Sequence, residues 1–278
     1  MVKRKTQQSM LMILLALFFI IPFIPLLIWS FTKQWPWPHV FPEKWSLGTW
    51  KYVLSASGSA KEGGINSLIV AFLTLFGNLV LGIPAARVLA QNEFIGKKLV
   101  FIFILTPLFI PFTVSIFGLH QMALQADFLN EYIKVSIAHI LVTMPYFIAA
   151  VWYQFRLMGT KLQEAAKSLG ASEWLIIRRI EMPLLLPSIY MGSLMVIIIS
   201  FSQYLPTWIM SGGTLLTLPL VIFPYADSGN SSIVSAYSIV FFIPILILLI
   251  VYSILIYLNK RRFVKGKEGE HASEGYQY

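Results

Sequence analysis

Apolar residues in this chain gather into six long blocks, at roughly 10–31, 65–90, 98–119, 134–157, 188–210 and 235–258. About 20 consecutive apolar residues, wound as a helix, cross the hydrocarbon core of a bilayer. Each block therefore predicts a membrane-spanning helix, and the fold class expected is an all-α integral membrane protein with six spans. The first block follows Lys3, Arg4 and Lys5, as the core of a secretory signal does. It is longer than such a core and no small-x-small cleavage site follows it, so a retained span is expected.

Composition agrees with the pattern. Hydrophobic residues make up 57% of the chain and charged ones 12%, against about 45–50% and 25% in soluble domains. The net charge of +9 could suggest nucleic acid, but the cations lie in short clusters between apolar blocks, which is the signature of topology rather than of a nucleic-acid surface. No nucleic-acid partner is expected; membrane lipid is. The absence of cysteine removes disulfides, thiol chemistry and Cys-based metal sites. With six spans both termini share a side, and 16 of the 21 Lys and Arg then fall on that side. This asymmetry assigns both termini to the cytoplasmic side of the membrane.

The connecting segments differ in character. Residues 32–64 carry Trp35, Trp37, Trp45 and Trp50 among Pro36, Pro38 and Pro42, which reads as an interfacial loop lying along the headgroup zone. Residues 211–234 contain no Lys or Arg and are apolar enough to dip back toward the membrane. The tail after Phe263 is polar and reads as unstructured.

The most unusual connection is "EAAKSLGASEWLIIRRIEMP", residues 164–183. Leu162, Ala166 and Leu169 recur at helical spacing, Gly170 suits a helix C-terminus, and Ser172 suits the N-cap of a second short helix. Pro183 and Pro187 are expected to break that helix before the fifth span. Glu164 stands near the first helix's start, where a carboxylate is favoured by about 0.3–1 kcal/mol. Residues alone leave a solvated loop and a docking element equally open.

Catalytic chemistry finds no footing. Gly96-Lys97 and Gly266-Lys267 lack the rest of a phosphate-binding loop, and there is no His-Glu-x-x-His zinc helix. Ser115, His120 and Asp127 have no spacing that favours a hydrolytic site. No Asp or Glu lies inside a predicted span, which argues against an intramembrane aspartyl protease and against the proton relay of a self-sufficient secondary transporter. That transporter is nonetheless the rival reading. Catalytic and metal-binding residues are expected to be none. The few polar residues in the spans are candidates either for helix–helix hydrogen bonds or for a solute path: Ser200, Gln203 and Tyr204 in the fifth span, His139 in the fourth. Pro107, Pro111 and Pro145 are expected to bend the third and fourth spans.

Glu164-Ala165-Ala166, three residues, Gly170, nine residues, then Ile180-x-Met182-Pro183 resembles the EAA loop of the permease subunits of binding-protein-dependent ABC importers, the MetI-like superfamily. Met182 stands where that pattern has Leu. The stretches "NSLIVAFLTLFGNLVLGIPAARVLA" and "HILVTMPYFI" resemble the family's second and fourth spans. The resemblance implies a first span and external loop over 1–64, a MetI-like core of five spans over 65–258 and a basic cytoplasmic tail over 259–278. It implies that Glu164, Ala165, Ala166, Leu169, Gly170, Ile180 and Pro183 form a coupling element seated in an ATPase subunit. It also implies partners: two ATPase subunits carrying ATP and Mg, a second permease chain, either a different one or a copy of this one, and an extracytoplasmic solute-binding protein reached by 211–232 through Gly212, Gly213 and Thr214. The chain itself is then no enzyme and holds no cofactor. "GGTLLTLP" is more similar to permeases for polyamines, thiamine or iron than to those for sugars.

Overall fold

The computed structural model describes residues 10–274 apart from 11, 13, 16, 19, 37, 126 and 127. Its helices, in chain order, are α1 (Phe23–Ser30), α2 (Gly48–Val53), α3 (Ala60–Gln91), α4 (Lys97–Leu105), α5 (Phe112–Ala123), α6 (Glu131–Met158), α7 (Lys161–Ser168), α8 (Glu173–Ile176), α9 (Met182–Ser202), α10 (Leu205–Ser211), α11 (Leu218–Asp227) and α12 (Ser231–Glu274). The strands β1 (Thr32–Gln34) and β2 (Lys44–Trp45) form a two-stranded antiparallel ribbon.

Among the described residues four helical courses are long and apolar enough to cross a bilayer: Ala60–Gln91, Glu131–Met158, Glu173–Ser202 and Ser231–Ile254. They correspond to the second, fourth, fifth and sixth predicted spans. The third is not one rod. Lys97–Leu108 and Thr113–Ala123 meet at 100°, because Pro107 and Pro111 remove two ladder donors and Pro111 holds an extended ψ of 115°. The predicted first span includes residues outside the described set, as do Lys3, Arg4 and Lys5; α1 is its described end.

Three expectations are corrected. Pro183 and Pro187 do not break the helix before the fifth span: Glu173–Ser202 is one helical course. Residues Ile177–Glu181 take a π-helical turn, in which the Met182 N–H reaches back to the Ile177 carbonyl, and Pro183 follows directly after this change of register. The fifth span instead breaks later, at Gln203, whose ψ of 102° separates α9 from α10. The final helix runs on to Glu274, past Phe263 where an unstructured tail is expected; once a helix exists, each added residue gains a hydrogen bond without paying for nucleation.

The chain divides into two compact units. One comprises Met1–Ser67 and Leu216–Ile243. Its core gathers Val53, Ala60, Val221, Ala236 and Tyr237. The Tyr237 hydroxyl donates to the Gly58 carbonyl, and the Tyr52 and Tyr225 hydroxyls meet at 2.6 Å. The apolar loop 211–234 contains α11, ten residues long and so about 15 Å, too short to cross. Its first turn is tied down by the Ser67 hydroxyl, which accepts from Leu218 N–H at 2.9 Å. In the 32–64 segment Trp35 stacks on Trp29 at 4.8 Å and Trp45 is exposed; Trp37 lies outside the described residues.

The second unit comprises Leu68–Leu215 and Pro244–Tyr278. Here α3, α6 and α9 pack around the fully buried Phe147. A Cβ added at Gly82 of α3 would come within 2.5 Å of that ring, and one at Gly192 of α9 within 2.8 Å. Two missing methyl groups thus make the slot for one aromatic ring, the use to which membrane helices put small residues. A buried polar seam runs beside it. The Asn78 amide donates to the Thr143 hydroxyl at 2.8 Å, and Thr143 donates to the His139 carbonyl at 2.8 Å. Thr207 donates to the Gln203 carbonyl at 2.7 Å, so it accepts from His139 Nε2–H at 3.0 Å. That leaves Nδ1 to accept from the Ser200 hydroxyl at 2.9 Å.

Candidate functional site: the coupling segment

Helix α6 ends at Gly159, whose φ of +62° suits a residue without a side chain. The chain turns there and starts α7. At the far end of α7 the Gly170 N–H bonds the Lys167 carbonyl at 2.9 Å and the Ala171 N–H bonds the Ala166 carbonyl at 3.0 Å. This is a Schellman closure, and Gly170 supplies the left-handed residue it needs with φ of +83°. Ser172 then accepts from the Leu175 N–H at 3.4 Å and starts α8. Helix α7 is therefore short and bounded at both ends by glycines in left-handed conformations.

Its burial is inverted. A helix packed on its own protein hides leucines and shows polar residues. In α7 the buried side chain is Gln163, at 7% exposure, while Leu162 is 53% exposed and Leu169, at its C-cap, 89% exposed. The apolar stripe expected from Leu162, Ala166 and Leu169 exists, and it faces away from the chain's own core. An open groove of about 440 Å³ continues it, lined by Ala166, Leu169, Leu175, Ile176, Arg179 and Ile180.

What α7 does bury is a polar anchor. The Gln163 amide donates to Glu181 Oε1 at 3.0 Å, and the Arg87 guanidinium donates to the same oxygen at 2.7 Å. Glu181 is 2% exposed. It belongs to the π turn, whose extra residue shifts the helical register as the course passes from α8 into α9. Arg87 also reaches Glu173 at 3.6 Å, and Glu173 pairs with Lys167 at 2.5 Å. One carboxylate thereby joins α7, the root of α9 and the end of α3. A buried charge of this kind is tolerated because it is paired and hydrogen-bonded.

The expected coupling residues fall together on this segment. Glu164 and Ala165 are exposed, Ala166 half-buried, Ile180 lines the groove, and Pro183 stands in the first turn of α9. The expected path residues separate into two groups. Gln203 and Tyr204 lie half-buried at the break between α9 and α10, while Ser200 and His139 are buried and hydrogen-bonded to each other. Gly212 and Gly213 close α10 with φ of +58° and +83°, and the Thr214 hydroxyl donates to the Ser211 carbonyl at 2.6 Å. Asp127 lies outside the described residues. Sequence reasoning missed Arg87, Gln163 and Glu181. A signal existed: Arg87 is the lone charge in the second predicted span, and Glu181 the lone acid between Glu173 and Asp227. Such isolated charges in apolar surroundings carry function by default.

Helices long and apolar enough to span a bilayer thus carry a short helix whose leucines face outward and whose glutamine is tied, through Glu181, to two of the long ones. The chain belongs to the family of binding-protein-dependent transport system inner membrane components, which it matches over residues 78–265. It is a permease subunit of the ABC importer class. The spermidine/putrescine transport system permease protein PotC of Haemophilus influenzae is 27% identical over 218 residues, 78% of this chain and 83% of the relative. The molybdate/tungstate permease WtpB of Thermococcus kodakarensis is 33% identical over 131 residues, 47% and 52% of the two chains. The arabinooligosaccharides permease AraQ of Halalkalibacterium halodurans is 25% identical over 217 residues, 76% of each. Among solved structures, a chain of a bacterial ABC transporter that imports the acidic polysaccharide alginate shares the fold, with TM-score 0.63 at 17% identity, covering 90% of this chain and 95% of that one.

Proposed function

We propose that the chain moves a small polar solute inward by alternating access, with α7 as the element through which separate ATPase subunits drive it. The observation that carries this reading is the inverted burial of α7, which presents Leu162 and Leu169 outward and holds its glutamine inward. Exposed apolar side chains on a short rigid helix suit a cleft in another protein. ATP and Mg belong to those subunits, and this chain carries no cofactor. Closure of the ATPase pair displaces α7, and the Gln163–Glu181–Arg87 junction passes the displacement to α9 and α3 together.

The remaining partners are a second, different permease chain and a solute-binding protein that meets the turn at Gly212, Gly213 and Thr214. Both termini face the cytoplasm, which the distribution of Lys and Arg supports. Gln203 and Tyr204 lie on the solute path. What supports them is the broken helix: interrupted spans form the solute sites of many transporters, because freed backbone groups there face a cavity. Ser200 and His139 hold that break in shape from behind. The cargo we assign is of the polyamine, thiamine or iron class before a sugar. The segment 212–219 supports it, as does the length of the match to a polyamine permease.

The test is purification of the importer carrying Gly170→Pro, or a Glu placed at Ala165 and Ala166. Proline cannot adopt φ of +83° and removes the N–H that bonds Lys167. Membrane insertion is expected to be unchanged, while ATPase co-purification and uptake are lost. Normal assembly and uptake, or solute accumulation by vesicles holding this chain alone, would overturn the reading.

A further inference from the structure

A second site lies away from the coupling segment. The turn between α3 and α4 and the end of α6 enclose an open cavity of about 650 Å³. Its walls are apolar: Phe94, Leu99, Phe101, Ile102 and Trp152. Leu99 and Ile102 are largely exposed although they are aliphatic, and nothing among the described residues covers them. Lys97, Lys98 and Arg156 line the same cavity, against one acid, Glu93.

These charges are not equivalent. Lys97 is spent within the chain, donating to Glu93 at 2.7 Å and to the Asn92 carbonyl at 2.9 Å. The Glu93 carboxyl is held below its usual range by that bond and that charge, with a weaker contribution from Arg156. Arg156 stacks on Trp152 with its guanidinium 5.5 Å from the ring centroid. Trp152 is itself oriented by its indole N–H, which donates to the Leu89 carbonyl at 3.3 Å, and by Phe101 at 5.3 Å. Stacking leaves the edge of the guanidinium, where its donors are, free for an anion. Lys98 makes no ion pair among the described residues. The lining thus keeps an excess of two positive charges at the mouth of an oily cleft.

We propose that this cleft binds one anionic glycerophospholipid. Its phosphate lies between Lys98 and Arg156, and an acyl chain lies along Phe94, Leu99 and Ile102. Charge complementarity selects the headgroup: a free phosphate would satisfy the cations but leave the apolar wall bare, and a neutral lipid would cover the wall but leave the cations unpaired. The proposal needs only that the chain is embedded in a membrane, and it holds whichever solute is carried.

The experiment is native mass spectrometry of the full chain, delipidated in detergent and then offered dioleoyl phosphatidylglycerol or dioleoyl phosphatidylcholine. Each basic side chain near an anionic headgroup gives about fivefold, so phosphatidylglycerol should be retained roughly 25-fold better. Lys98→Ala and Arg156→Ala should each lower that retention about fivefold. Both positions are exposed, so the variants fold. Arg178→Ala, outside the cleft, should leave it unchanged. Equal retention of the two lipids overturns the proposal, as does an equal loss with Arg178→Ala, which would mean diffuse charge. Displacement by millimolar inorganic phosphate would mean a simple anion site. Loss of the bound lipid when the partner permease assembles would mean that protein covers the cleft. Either result overturns it.

Discussion

Replacing Glu181 by Ala is the sharpest test of how α7 is joined to the membrane helices. Glu181 accepts from Arg87 at 2.7 Å and from Gln163 at 3.0 Å through one oxygen. Removing one member of a buried pair costs about 3–5 kcal/mol, because the other charge is stranded. Arg87 is 33% exposed along its side chain and retains Glu173 at 3.6 Å, so the low end applies, about 3 kcal/mol. Gln163 has no second partner among the described residues and loses a bond to a charged group, about 1.5–3 kcal/mol, part of the same total rather than an addition. At two to four degrees per kcal/mol, the unfolding midpoint in detergent should fall by roughly 6–12 °C. Glu181→Gln keeps an acceptor for Gln163 but leaves Arg87 without its charge partner, so it should recover only part of that stability. A double-mutant cycle between Gln163→Ala and Glu181→Ala should give a coupling energy of about 1 kcal/mol or more. In the assembled importer, ATPase subunits should still bind Glu181→Ala, since Leu162 and Leu169, the face we propose for docking, are untouched. Uptake per ATP hydrolysed should fall about tenfold, which needs only about 1.4 kcal/mol of lost coupling. If stability and uptake of Glu181→Ala both match the parent, the junction plays no part in coupling.

Two further outcomes are expected. Gly82→Ala places a methyl group 2.5 Å from the Phe147 ring and should destabilise by about 1–3 kcal/mol; adding Phe147→Leu should restore much of the loss, and failure of that rescue in thermal unfolding would show that the slot is not what limits packing. Gln203→Ala should alter the apparent affinity for solute or the solute-stimulated ATPase rate without changing the unfolding midpoint, and an unchanged affinity and rate would remove Gln203 from the path.

The coupling segment is legible in sequence because its demands are local. A left-handed φ needs Gly170 wherever the helix packs, and Ser172 caps the helix that follows it by accepting from the N–H three residues ahead, without help from elsewhere. The apolar stripe of α7 is equally legible, but its direction is not. Periodicity locates a face and cannot say whether the face turns toward its own chain or away. The junction at Glu181 joins residues 94 positions apart, and only the tertiary packing of α3 against the start of α9 brings them together. The prolines at 183 and 187 mislead for a related reason. The π turn at Ile177–Glu181 directly precedes Pro183 and re-routes the ladder there, while Pro187 sits inside α9, where one lost hydrogen bond does not end a long helix. The interruption of the fifth span at Gln203 left a trace in Pro206, which stands in the first turn of α10, yet a proline at a helix start and one at a kink read alike in a string of letters.

Phe147 has a mechanical consequence. Its ring is gripped on one side by Gly82 and on the other by Gly192, and close-packed interiors compress very little. Neither flanking rod can slip past the other by a fraction of an ångström without the ring being carried along. A displacement of one would therefore be handed to the other through the ring, as a key hands torque from a shaft to its hub.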